Sequence, residues 1–168
     1  MSDSSEPDAT APLPEQVPFP ASGRLLGLDY GTKRVGVAVS NPDQTIASPL
    51  ETWQRQDPAQ EERRLRSLVE EYRIVGLVVG LPVHMSGEEG QKAGEARAFG
   101  RHAAEVAGLP LRFWDERFTS SQADEHMLAA DLTRKQRKGI RDRLAAQILL
   151  QHFLDAADRE RPPGAYRD

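Results

Sequence analysis

Residues 24–40, RLLGLDYGTKRVGVAVS, constrain the fold more than any other part of this chain. Two runs rich in leucine and valine are separated by a few residues that include glycine, and this pattern predicts a β-hairpin. Asp29 lies near the end of the first run, whose neighbouring residues are apolar. Because burying an unpaired carboxylate is costly, Asp29 must be paired, hydrogen-bonded or bound to a cation, unless it only caps the turn.

The rest of the sequence predicts strands and helices in alternation. Residues 46–53 are predicted as a third strand, at an edge or bent because of Pro49. The order of elements indicates a mixed α/β sheet, in which the antiparallel hairpin is joined to parallel strands through crossover helices. The other predicted elements are a helix over 58–72, a doubly covered strand over 74–81, a loop over 82–91, a helix carrying Ala96 to Val106, a strand from Leu111, a helix over 119–130 and a last helix over 144–157.

Length and composition place the chain in a broad class. Its 168 residues are enough for one domain with a substantial core. It has no cysteine, which excludes disulfides and thiolate sites. It also lacks an apolar stretch of about 20 residues and the pattern of a signal peptide, so we expect a soluble, cytosolic protein with no membrane partner.

The charges divide the chain into an acidic tail and a balanced body. Residues 1–22 hold four acids and no basic residue, which accounts for the net charge of −4. This segment is rich in proline, serine and alanine, and its composition predicts a disordered extension. We expect the folded domain over residues 23–160 and a loose tail over residues 161–168.

Three acids are placed where the predicted elements would bring them together. Asp29 is on the first strand, Glu116 follows a later strand, and Asp142 lies where the last predicted helix starts, with Ala145 and Ala146 one turn on, which would allow close packing on the sheet. Three carboxylates at one sheet edge form an oxygen-rich site for Mg²⁺ or Mn²⁺. Two such ions about 4 Å apart would activate water and stabilise the leaving oxygen in phosphodiester hydrolysis.

Taken one at a time, two of these acids have simpler explanations. Glu116 beside Arg117 forms an exposed ion pair in one interpretation, and Asp142 only complements a helix N-terminus in another. The stretch from Arg134 to Arg143 holds six basic residues and one acid, Asp142. This basic stretch favours the catalytic interpretation, because an enzyme that cleaves nucleic acid needs cations to hold phosphates. Without the acids, the same stretch would indicate a solvated loop. The predicted nucleic-acid-binding residues are Lys33, Arg34, Arg117, Arg134, Lys135, Arg137, Lys138, Arg141 and Arg143.

Four segments carry a family resemblance: GLDYGTKRVGVAVS, VVGLPVHMSGEEG, WDERFTS and KGIRDRLAAQILL. Their order and spacing resemble the YqgF/RuvX family from residue 24 to about residue 156. That family has a ribonuclease H-like fold, and its members are described as Holliday junction resolvases and as nucleases that process the precursor of small-subunit ribosomal RNA. The resemblance implies that Asp29, Glu116 and Asp142 are the metal-binding catalytic carboxylates. Arg141 departs from the family, which usually has an aliphatic residue there.

Other functions stay open at this point. The pattern Asp-x-Gly-Thr from Asp29 also resembles the first phosphate segment of actin-like ATPases, although those proteins bind nucleotide between two such domains. A non-catalytic RNA-binding factor for ribosome assembly is the main alternative, but a pure binder has no reason to keep repelling acids together. The sequence does not choose between pre-16S rRNA, which the resemblance favours, and a four-way DNA junction. It also does not choose between a monomer and a homodimer, which symmetric junction cleavage would favour.

Overall fold

The computed structural model describes residues 11–82, 89–115, 133–160 and 163. Within these residues a five-stranded sheet carries helices on both faces. Among the described helices, none has the length and apolar character needed to cross a membrane. The strands are β1 (Arg24–Tyr30), β2 (Arg34–Ser40), β3 (Ala47–Gln54), β4 (Ile74–Leu81) and β5 (Leu111–Asp115), and the helices are α1 (Pro58–Tyr72), α2 (Gln91–Ala107) and α3 (Arg134–Asp155).

The strand order is β3-β2-β1-β4-β5. Strands β1, β2 and β3 pair antiparallel, whereas β1, β4 and β5 run parallel. This topology confirms the predicted hairpin and mixed sheet, and it is that of a ribonuclease H-like fold. Because β1, β4 and β5 are parallel, their carboxyl ends lie at the same edge of the sheet.

The two faces of the sheet pack against different helices. Leu26 and Leu28 belong to the core beneath α1 and α2, whereas Leu25 belongs to the core beneath α3. Successive side chains of a strand point to opposite faces, so Gly27 and Asp29 share the α3 face with Leu25. The fold therefore places Asp29 beneath α3, near the carboxyl end of β1.

Helix α3 begins at Arg134, ten residues before the predicted start at Leu144. Thr133 caps it: its hydroxyl accepts a hydrogen bond from the Gln136 amide at 3.2 Å, and the Gln136 side chain accepts one from the Thr133 amide at 3.0 Å. Among the described side chains of this helix, Ala145 is the first that is buried, so hydrophobic periodicity gave no signal for the earlier turns. Asp142 thus lies inside the helix, and the interpretation that it only complements a helix N-terminus is wrong.

Residues 11–22 pack on the body, so the prediction of a disordered tail is wrong for this part of it. Glu15 accepts a hydrogen bond from the Arg101 guanidinium at 2.6 Å, and Phe19 contacts Phe153 edge to face at 5.6 Å between ring centroids. The average composition of residues 1–22 gave no sign that one aromatic residue, Phe19, anchors the segment. Residues 1–10, the predicted helix over 119–130 and all but one residue of the predicted C-terminal tail lie outside the described residues.

Candidate active site at the carboxyl edge of the sheet

The backbone of α3 crosses the sheet at the level of Asp29. Asp29 is in register with Gly36 on the neighbouring strand β2. A Cβ atom built on Gly36 would lie 1.9 Å from the carbonyl oxygen of Asp142 and 2.4 Å from its carbonyl carbon. Only glycine fits in this space. Gly36, the cross-strand neighbour of Asp29, thus allows the α3 backbone at Asp142 to approach β2. The backbone of Asp142 therefore lies over the strand next to the one that carries Asp29.

Further small residues maintain the close approach of α3. A Cβ atom on Gly27 would lie 3.0 Å from Cβ of Leu150 and 3.5 Å from the carbonyl oxygen of Ala146. Ala146 is fully buried, as the prediction of close packing at this position requires. The contribution of Gly27 and Gly36 was missed in the sequence. The sequence did contain a signal for Gly27, because a residue two positions before Asp29 must lie on the same face of the strand as Asp29.

An ion pair links the hairpin to α3 at the same place. Nε of Arg34 donates a hydrogen bond to Oδ2 of Asp142 at 2.5 Å. The side chains are only partly exposed, 27% for Arg34 and 21% for Asp142. Since a carboxylate withdrawn from water needs a compensating charge, the guanidinium supplies the partner that Asp142 requires in this conformation.

Glu116 and Arg117 lie outside the described residues, so their predicted roles stay predictions. The structure describes β5 as far as Asp115, which pairs with Leu81 at the end of β4. The chain therefore leaves β5 at the sheet edge where β1 also ends. Within the described parts of the chain, no three acidic or histidine side chains are grouped closely enough to hold a metal ion. Glu116 is not among these parts of the chain.

Apart from Arg117, the predicted nucleic-acid-binding residues fall on the hairpin and on the first half of α3. Lys33, Arg137, Lys138 and Arg141 are exposed. Because residues four apart share a helix face, Arg137 and Arg141 present their charges on one side of α3. The Arg34 contact with Asp142 joins this helix to the hairpin. Arg143 is half-buried, whereas the side chains of Arg134 and Lys135 lie outside the described part of the structure.

A second ion pair lies at the start of α2. Nη2 of Arg97 donates to Oε2 of Glu89 at 2.6 Å, and this hydrogen bond lowers the pKa of the Glu89 carboxyl although partial burial opposes the change. Glu89 immediately precedes Gly90, the N-cap residue of α2. The pair therefore ties the start of the helix to the turns that follow it, beside the segment of residues 83–88 that is not described.

Comparisons with known proteins show what this chain is similar to. Residues 23–156 match the RuvX family, whose description is Holliday junction resolvase. A relative from Cereibacter sphaeroides (strain KD131 / KCTC 12085), named "Putative pre-16S rRNA nuclease", is 45% identical over 140 residues, which cover 83% of this chain and 88% of the relative. A relative of the same name from Rhodopirellula baltica is 44% identical over 138 residues, covering 82% of this chain and 80% of the relative. The solved structure of T. thermophilus RuvC in complex with a Holliday junction substrate has a TM-score of 0.46 and 22% identity, covering 79% of this chain and 93% of that one.

Proposed function

This chain belongs to the RuvX family, and from that premise we propose that it is a nuclease whose divalent metal site is formed by Asp29, Glu116 and Asp142. The approach of α3 to Gly36 carries the proposal, because it sets Asp142 beside the strand neighbour of Asp29. Arg34 balances the charge of Asp142 in this structure, and a bound cation would balance the charges of both carboxylates together.

The donor set suits a hard divalent cation such as Mg²⁺ or Mn²⁺. Carboxylate oxygens are the ligands these ions prefer, and Asp142 already lies against a positive group, the guanidinium of Arg34. When bound, one or two such ions would supply Lewis acidity for water activation and for the leaving oxygen. Asp29 and Asp142 would hold the metal, and Glu116 would complete the set from the chain that follows β5.

The exposed cations of the hairpin and α3 would hold and orient the substrate. Lys33, Arg137, Lys138 and Arg141 would contact phosphates, which fixes register without reading sequence. From residue 134 to residue 141 the helix rises about 10 Å, enough for successive phosphates of one strand. Because these contacts are electrostatic, the affinity for nucleic acid should fall steeply as the salt concentration rises.

We assign the 5′ end of pre-16S rRNA as the substrate and the four-way DNA junction as the second candidate. The first rests on the name shared by relatives that are 44% and 45% identical over more than four fifths of the chain. The second rests on the description of the family. A homodimer would suit the junction, because two symmetric strands must be cut, whereas a monomer suffices for RNA.

The test is Mn²⁺-dependent cleavage by the wild type and by Asp29→Asn on two labelled substrates, a precursor RNA end and a four-way DNA junction. The matched control is Asp43→Asn, which removes an exposed carboxylate from a turn near the opposite end of β2. We expect Asp29→Asn to abolish cleavage and to keep its melting temperature, while Asp43→Asn cleaves as the wild type does.

The cleavage pattern then identifies the substrate. Cleavage of RNA alone, lost in Asp29→Asn, assigns ribosomal RNA maturation, whereas symmetric paired cuts in the junction assign resolution by a dimer. Full activity of Asp29→Asn would contradict the metal site. If neither substrate is cut in the presence of Mn²⁺, the alternative of a non-catalytic RNA-binding factor is favoured.

A further inference from the structure

The ion pair between Arg34 and Asp142 joins two residues with different predicted roles. Arg34 is a predicted phosphate-binding residue, and Asp142 is a proposed metal ligand. In this structure, however, Nε of Arg34 donates a hydrogen bond to Oδ2 of Asp142. A divalent cation at Asp142 therefore competes with Arg34 for a ligand atom and is repelled by its positive charge at short range.

The ion pair is not needed to hold α3 in place. Ala146, Leu149, Leu150 and Phe153 anchor the helix and are fully buried on the sheet. The close contact at Gly36 involves the backbone of Asp142 and not its side chain. The Arg34 side chain can therefore leave Asp142 without unpacking the helix.

Arg34 is also placed where its side chain can move. It is the first residue of β2, directly after the turn of the hairpin, and its side chain is 27% exposed. The neighbouring Lys33 is exposed to solvent. A guanidinium displaced from Asp142 would thus reach the surface where the phosphates of a bound strand would lie.

We propose that Arg34 is a positioning residue that neutralises Asp142 before metal binding and moves to a substrate phosphate when a divalent cation displaces it. This inference rests on the proposed function, since it requires the metal site at Asp29 and Asp142. In this proposal the Arg34 side chain balances the charge of Asp142 when no metal is bound, and it binds a nucleic-acid phosphate when the metal is present.

The test is a calorimetric titration of the full chain with Mn²⁺ in the absence of nucleic acid. Arg34→Gln should bind Mn²⁺ on the order of tenfold more tightly than the wild type, because the competing charge is gone. Arg34→Lys keeps the charge and should stay near the wild-type affinity. The matched control Lys33→Gln removes an adjacent, solvent-screened charge and should change the affinity by less than about threefold.

A second measurement reports the movement directly. In ¹⁵N NMR spectra, the Arg34 Nε–H resonance should shift when Mg²⁺ is added to the wild type, and Asp142→Asn should remove that response. A purely structural Arg34 would show no such shift, and its replacement by glutamine would lower the melting temperature and weaken Mn²⁺ binding.

The outcomes separate the inference from the function on which it rests. Mn²⁺ binding that depends on Asp29 and Asp142, but is no tighter in Arg34→Gln, overturns the role of Arg34 and leaves the metal site standing. If the wild type binds no Mn²⁺, or if Asp29→Asn and Asp142→Asn bind it equally well, the proposed metal site fails and the inference fails with it.

Discussion

The substitution Gly36→Ala tests whether the approach of α3 to β2 assembles the site. The added Cβ would lie 1.9 Å from the Asp142 carbonyl oxygen, whereas ordinary contact begins near 3.4 Å. The helix backbone must therefore retreat by about 1.5 Å at the residue that we assign to metal binding. Displacements of about 1 Å in catalytic groups cost on the order of 100-fold in rate.

We expect Gly36→Ala to lower the cleavage rate at least about 100-fold and to weaken Mn²⁺ binding. The free energy of unfolding should fall by about 1–3 kcal/mol, because Ala146 and Leu150 hold the helix against retreat. Both quantities are measured on the same preparation, by single-turnover cleavage and by urea denaturation.

Gly94→Ala is the matched control. A Cβ atom on Gly94 meets nothing within 4 Å, and the residue lies inside α2. Alanine is the better helix former, so this variant should gain about 0.5–1 kcal/mol of stability and cleave normally. If Gly36→Ala kept both wild-type stability and wild-type activity, the argument that the backbone contact builds the site would be refuted.

Two further predictions concern the surroundings of the site. Phe19→Ala should lower the free energy of unfolding by about 1–3 kcal/mol, which is less than the loss for a fully buried phenylalanine, because the Phe19 ring is only partly buried against Phe153. Leu13 is 43% exposed, so the control Leu13→Ala should change the free energy of unfolding by less than about 0.5 kcal/mol. Equal denaturation midpoints for the two variants would contradict the docking of residues 11–22. The Arg97 hydrogen bond lowers the pKa of Glu89 in the folded state, so the stability it contributes is present above the ordinary value of 4.5 and is lost as the pH falls through the lower folded pKa. In urea denaturation from pH 7 to pH 3, Arg97→Gln should therefore lose less stability on acidification than the wild type, and parallel pH profiles would show that the pair contributes nothing.

Local patterns in the sequence were sufficient for most elements. The bounds of α1 and β4 were predicted correctly, because the apolar residues of each repeat at the spacing of a helix or form the continuous run of a covered strand. Asp29 was singled out for a local reason, as a carboxylate among strand residues that must be buried. Asp142 was chosen for its position near small helical residues, although the start of its helix was predicted ten residues too late.

Only the tertiary structure decided how these elements meet. The sequence separation of Arg34 and Asp142 is 108 residues, and the backbone of the same distant helix leaves no room for a Cβ atom at Gly36. No local window contains both partners of such a contact, so no periodicity reports it. The docking of residues 11–22 has the same origin, since Phe19 is stabilised by Phe153 and not by its own neighbours. The sequence by itself indicated most of the described strands and helices and which acids to suspect, whereas the packing of α3 on the sheet placed the Asp142 backbone beside Gly36, the strand neighbour of Asp29, and the Asp142 carboxylate against Arg34.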